Sequence, residues 1–203
     1  LDRAQSWSMG EYTAELVDKT VRLLDSLEYS GEVSLGMAEK RLTLGRRVPN
    51  DARLQWAEQK LSELGDQRPR NRPEVYAEQA RFIRDNPKEE VVLQVLRVGD
   101  LAITAMPNEV YALTGLKLKA MSPLVTTMNL SLANGAAGYI PPPEQHELGG
   151  YTTWPARTAG LVVAAEPTLV TQLGTLMEEV CGKPAQRYQE PVGDYAQAVT
   201  RSN

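Results

Sequence analysis

Residues 91 to 106 constrain the fold more than any other stretch. Val91-Val92-Leu93-Gln94-Val95-Leu96-Arg97-Val98 is a nearly continuous apolar, β-branched run, Gly99-Asp100 is a turn, and Leu101-Ala102-Ile103-Thr104-Ala105-Met106 is a second apolar run. Branching at Cβ favours extended backbone, and a short glycine-containing connection between two such runs is a hairpin signal. A hairpin this apolar must lie in a sheet that is buried over much of at least one face. Everything else has to cover that sheet.

The flanking segments supply the covering. Pro107-Asn108-Glu109 opens a helical stretch that runs to about Met121 and stops at Ser122-Pro123, and Leu124 to Leu132 reads as another strand. Strand, helix, strand with short connections is a βαβ-like unit, right-handed if the strands are parallel. Further on, Ala159 to Ala165 reads as a short apolar strand and Pro167 to Val180 as a last helix, before a polar surface tail from 183 to 203. Upstream, Leu16, Val17, Val21, Leu24 and Leu27 fall at three- and four-residue spacings between Met9 and Leu27, which predicts an amphipathic helix with one buried face. Alternation at Val33, Leu35 and Met37, and again at Leu42 and Leu44, predicts one or two half-buried strands, in an edge ribbon. Asn50 is placed to cap a helix with Leu54, Ala57, Leu61 and Leu64 on its apolar stripe, and a third helix runs from Pro73 to Asp85. The connector DQRPRNRP between them, residues 66 to 73, reads as a solvated linker in preference to an anion site. The expected architecture is α/β, a mixed β-sheet flanked by helices, in one domain or the C-terminal portion of one.

Between Asn134 and Trp154 the sequence NGAAGYIPPPEQHELGGYTTW concentrates Pro141, Pro142 and Pro143 with four glycines. That density excludes a long helix or a central strand. Long loops inside compact domains are functional or disordered, and Tyr139, Tyr151 and Trp154, in a chain with only 12 aromatic residues, favour an ordered loop that forms a site.

Composition excludes several classes. With a net charge of −4, a pI near 5.2 and interspersed charges, the chain has no electrostatic footprint for nucleic acid. No apolar run reaches the roughly 18 residues needed to span a bilayer. Cys181 stands alone, so it forms no internal disulfide and reads as a small buried hydrophobe. The first residue is Leu1 rather than methionine and no signal-peptide pattern follows, so a processed product or a piece of a longer polypeptide is expected.

Ligands in open α/β sheets collect at the carboxyl ends of strands. Met106 leads to Glu109 and Leu132 leads to Asn134 and Tyr139, and parallel strands would bring both ends to the same sheet edge. Glu109 has two readings: a carboxylate in the first turn of a helix is stabilised by the macrodipole and needs no function, or it is a ligand-binding group. No HExxH, GxSxG, Gly-rich phosphate loop or His/Cys pair is present, and the only histidine is His146. This chain therefore cannot assemble an ordinary histidine-rich zinc site from its own residues.

The segment VGDLAITAMPNEVYALTGLKLKAMSP…LANGAAGYIPPPEQHELGGYTTW, residues 98 to 154, resembles the C-terminal half of the catalytic domain of the neutral ceramidase family, in particular its short bacterial homologues. The helix ending near Leu27, the strand ending in LTLGRR and the helix of LQWAEQKL keep the family's order. In that family a Pro-Gly-Glu motif supplies a zinc-binding glutamate; here Pro107-Asn108-Glu109 keeps the glutamate and departs at Asn108. Tyr139 matches the family's tyrosine ligand, and Tyr151, twelve residues on, matches a tyrosine beside the scissile amide. The resemblance implies zinc-assisted hydrolysis of an N-acyl amide bond in a lipid-like, sphingolipid-type substrate, with Glu109 and Tyr139 as metal ligands and Tyr151 hydrogen bonding to the developing oxyanion. Asn134 would fix the loop or contact substrate, and His146 would line the site or lie at the surface. The family's two histidine ligands lie upstream of Leu1, so the resemblance implies only a zinc half-site here, completed by a missing N-terminal half, and a secreted or periplasmic location. Two rivals stand beside it: a non-catalytic α/β module whose loop at 134–154 engages a partner, and a metal-free enzyme acting through His146.

Overall fold

The computed structural model describes residues 7–185; of the expected polar tail, residues 186–203 lie outside the described residues. The chain divides into two compact units, Leu1–Val33 and Ser34–Asn203. The first holds helix α1 (Met9–Asp25), opened by a capping box in which Glu11 N donates to Ser8 Oγ at 3.2 Å and Ser8 N donates to Glu11 Oε2 at 2.8 Å. The helix forms as its spacing predicts, but no residue of it is buried. Its apolar stripe, including Leu16, Val17, Val21 and Leu24, stays exposed, and among the described residues its own unit holds no second helix or strand to cover it.

The second unit is built on a four-stranded mixed sheet in the order β1 (Leu35–Gly45), β2 (Lys88–Val98), β3 (Leu101–Ala105), β5 (Thr126–Leu130). The hairpin expected at Gly99-Asp100 is present, with β2 and β3 antiparallel. The upstream alternation forms a single eleven-residue edge strand, β1, antiparallel to β2. β3 and β5 are parallel and are joined through the two-residue strand β4 (Glu109–Val110) and helix α4 (Ala112–Met121). Between β1 and β2 come α2 (Asp51–Leu64) and α3 (Arg72–Asp85), packed through the small residues Ala57, Ala77 and Ala80 against Trp56 and Leu61. Asn50 caps α2 as expected, accepting from Arg53 N at 2.9 Å.

One face of the sheet is covered by α6 (Ala165–Cys181), whose Leu169, Leu173 and Met177 are fully buried against Val91, Leu93 and Val95. Each such side chain contributes about 1.5–3 kcal/mol through burial. Cys181 is buried at the end of α6, as its sequence context suggests, and burial raises its thiol pKa. The opposite face carries an apolar row, Met37, Leu96, Ile103 and Met128, in register across all four strands. Met37 and Met128 there are more than half exposed.

Besides the unburied face of α1, two sequence expectations fail. Residues 159 to 165 form no strand, only a bridge between Leu161 and Arg46. The Arg47 guanidinium takes the Ala159 and Leu161 carbonyls at 2.6 and 3.1 Å, so they are not available to a neighbouring strand. The stretch opening at Pro107 is not helical at first, because Glu109 and Val110 pair with Tyr139 and Ile140 before α4 starts at Ala112.

Candidate functional site

The site forms where the parallel strands β3 and β5 end on the same edge. Beyond β3 the chain is gripped by the loop that follows β5. Leu132 N donates to Asn108 O at 3.2 Å, Ala133 N to Met106 O at 2.9 Å and Ala137 N to Pro107 O at 2.7 Å. Asn108, fully buried, adds a side-chain clasp: its Nδ2 lies 3.3 Å from both the Ala137 and Gly138 carbonyl oxygens. This holds the backbone immediately before Tyr139. Glu109 then pairs with Tyr139 in the parallel two-stranded sheet of β4 and β6 (Tyr139–Ile140). Strand pairing also removes the helix-dipole reading of Glu109, since the carboxylate is not in a helical first turn.

Gly138 allows this approach. Its φ is +75°, and a Cβ there would sit 2.4 Å from Thr158 O, the carbonyl that accepts from Tyr139 N at 2.7 Å.

After β6, the prolines lead into the short helix α5 (Pro143–Leu148), and Gly149-Gly150 turns the chain into a 3-10 turn at Tyr151–Thr153. That turn is fixed on both flanks. Tyr111 Oη lies 2.6 Å from Thr152 Oγ1, and Arg47 Nη2 donates to Thr153 O at 2.7 Å. Tyr151 itself is 62% exposed, so a rigid support presents its phenol to solvent. Its ring meets Tyr139 edge to face, centroids 5.4 Å apart, and the two hydroxyls share a hydrogen bond at 3.1 Å. That hydrogen bond first, and the neighbouring Glu109 carboxylate second, push the Tyr139 phenol well above its ordinary pKa of 10. Tyr139 thus stands between Tyr151, to which its hydroxyl is hydrogen-bonded, and Glu109, its neighbour across the strand pair.

The other two candidates lie differently. Asn134, in left-handed backbone at φ +61°, donates through Nδ2 to Gln94 Oε1 at 2.6 Å and ties the start of the loop to β2. His146 sits half-buried on α5, where burial first and the Arg47 charge second lower its pKa below 6.5. Arg47 and Asn108 were not legible as site supports. Asn108 stood out only as a departure from the glycine of the resembling motif. Arg47 sits in an arginine pair at a strand end and gave no signal of the three loop carbonyls it would hold.

The donor set tests poorly for a resident metal. Among the described residues no group of three or more His, Cys, Asp or Glu side chains converges. A carboxylate and a phenol held protonated fall short of the four-ligand, histidine-rich set that zinc prefers. The residues present do not by themselves make a zinc site.

No protein-family model matches the sequence, and no curated protein matches it. Among solved structures, the chain is similar to the neutral ceramidase from Pseudomonas aeruginosa, at 11% identity and a TM-score of 0.42, covering 93% of this chain and 36% of that one. It is also similar to a ceramidase complexed with C2, at 15% identity and a TM-score of 0.39, covering 49% of this chain and 16% of that one. Likenesses at this level concern the fold in outline and carry no inference about activity.

Proposed function

We propose that this chain carries part of the active site of an amide hydrolase acting on an N-acyl amide in a lipid-like substrate. The observation that carries the reading is the proximity of Glu109, Tyr139 and Tyr151, residues that the family resemblance picks out together and that lie 42 positions apart at their extremes. Tyr151, exposed on a fixed turn, is suited to donate a hydrogen bond to an oxyanion as an amide carbonyl is attacked. Glu109 and Tyr139 are the two oxygen donors that this chain would offer a zinc ion whose remaining, histidine ligands come from another segment or polypeptide. The apolar row of Met37, Leu96, Ile103 and Met128 supports a completing layer, since a sheet face of that composition is normally covered.

The test is release of fatty acid from a short-chain N-acyl sphingosine by the longest native form of the polypeptide. Glu109→Ala should abolish turnover, and Tyr151→Phe should lower kcat by about 10²–10³ with the fold intact. Full activity in both variants would refute the assignment. Absence of activity together with partner capture that depends on residues 134–154 would favour a binding module.

A further inference from the structure

The connector that reads as a solvated linker has a different surrounding in the fold. Pro69 to Arg72, the start of α3 and residues 156 to 158 line an open surface hollow of about 630 Å³. That volume lies within the range typical of small-molecule sites. Two contacts hold its walls together. Gln79 Oε1, on α3, accepts from Arg157 N at 2.9 Å and from Arg157 Nε at 3.2 Å. Tyr76 meets Trp154 edge to face at 6.0 Å.

The lining is chemically one-sided. Arg70, Arg72 and Arg157 all face the cavity, and no acidic side chain lines it. Among the described residues none of the three guanidinium groups forms an ion pair. Arg72 instead stacks over the Trp154 ring, 5.7 Å from its centroid, and Arg157 over Phe82 at 4.6 Å. Glu74, which feels the Arg70 charge, is engaged in capping α3, where it accepts from Arg70 N at 2.7 Å. Arg70 also borders the neighbouring hollow beside α2, where Glu63 and Glu74 lie, so Arg72 and Arg157 are the two guanidinium groups whose surroundings here hold no carboxylate. In that adjoining hollow Lys60 is paired with Glu63 at 2.6 Å. Between the arginines, Val75, Tyr76 and Ala156 give the cavity an apolar wall.

We propose that this cavity is a binding site for an anion, phosphate, sulfate or carboxylate, carried on a planar apolar body. Guanidinium forks recognise such oxyanions in bidentate fashion and stack on aromatic faces. The wall of Val75, Tyr76 and Ala156 accommodates the planar part. Glu109, Tyr139 and Tyr151 do not line the cavity, and the inference does not depend on the hydrolase reading.

Calorimetric titration of the full chain with phenyl phosphate and with benzoate tests it, with inorganic phosphate and benzyl alcohol as the anion-only and neutral arms. Saturable binding of the aromatic anions is expected, weaker for inorganic phosphate and absent for benzyl alcohol. Arg72→Ala should weaken binding by about tenfold or more, the equivalent of one charge-assisted hydrogen bond, and Arg70→Ala should repeat the loss. Both residues are exposed, so unchanged circular dichroism is expected alongside. No saturable binding, equal affinity for inorganic and phenyl phosphate, equal affinity for benzyl alcohol, or full affinity in the Arg70→Ala/Arg72→Ala double variant would each overturn the proposal.

Discussion

Lys117 and Glu166 form a buried ion pair that joins α4 to α6. The Glu166 side chain is wholly inaccessible and that of Lys117 is 10% exposed. Lys117 Nζ lies 3.2 and 3.3 Å from the two carboxylate oxygens, and Thr114 Oγ1 donates to Oε1 at 2.9 Å. Replacing Lys117 by Met leaves a buried carboxylate with a single hydroxyl donor, so the fold should lose about 3–5 kcal/mol. Replacing Glu166 by Leu should cost less, toward about 3 kcal/mol, because Lys117 retains some access to water and has Glu144 of α5 at 3.9 Å as a second partner. The double variant Lys117→Met/Glu166→Leu removes both charges together. It should lie within about 1 kcal/mol of the native chain, since well-packed apolar replacements of buried pairs are often neutral. Urea denaturation followed by circular dichroism gives all four corners of the cycle. Single variants that each cost under about 1 kcal/mol and add without coupling would refute the reasoning. α4 leaves directly from Glu109-Val110, so this pair also bears on how firmly the site edge is held.

Three further outcomes follow from the site. Gly138→Ala puts a Cβ 2.4 Å from Thr158 O in left-handed backbone and should cost at least about 1–3 kcal/mol, read as a lowered urea midpoint. His146, the only histidine, should titrate below 6.5 when its ring resonance is followed by NMR. Because its folded pKa is depressed, its neutral form is favoured by the fold, and its contribution to stability, complete above 6.5, should be lost as pH falls from there through the lower folded pKa; a midpoint above 6.5 would contradict the burial. The Tyr139 phenol, raised in the folded chain, should ionise above pH 10 by absorbance at 295 nm, and Tyr151→Phe should bring it back toward 10. Its contribution to stability is complete below pH 10 and is lost only as pH rises further.

The hairpin at 91–106 and the Asn50 cap are legible because each rests on local pattern, β-branching with a turn dipeptide and a cap residue, whereas the parallel pairing of β3 and β5 is left open by the sequence and settled by the fold. The strand ends suggest Glu109 and Tyr139 as neighbours if the strands are parallel, and Tyr151 joins them only through the family resemblance. Failures came where a distant residue decides. Residues 159 to 165 have strand composition, yet Arg47, more than 100 positions upstream, binds their carbonyls. The helix expected from Pro107 starts late because Tyr139-Ile140 pairs with its first residues. The α1 stripe has full amphipathic spacing and, among the described residues, no helix or strand to cover it within its unit. The Lys117–Glu166 pair gave no signal, since a lysine and a glutamate 49 positions apart look like ordinary surface charges.

Zinc content tests the central claim most directly. Elemental analysis of the longest native form, purified without chelator, should find about one zinc ion per chain, and the Glu109→Ala/Tyr139→Phe double variant, still folded, should lose it. Zinc retained in full by the double variant, or amide hydrolysis by a zinc-free preparation, would contradict the assignment of those two residues as its ligands.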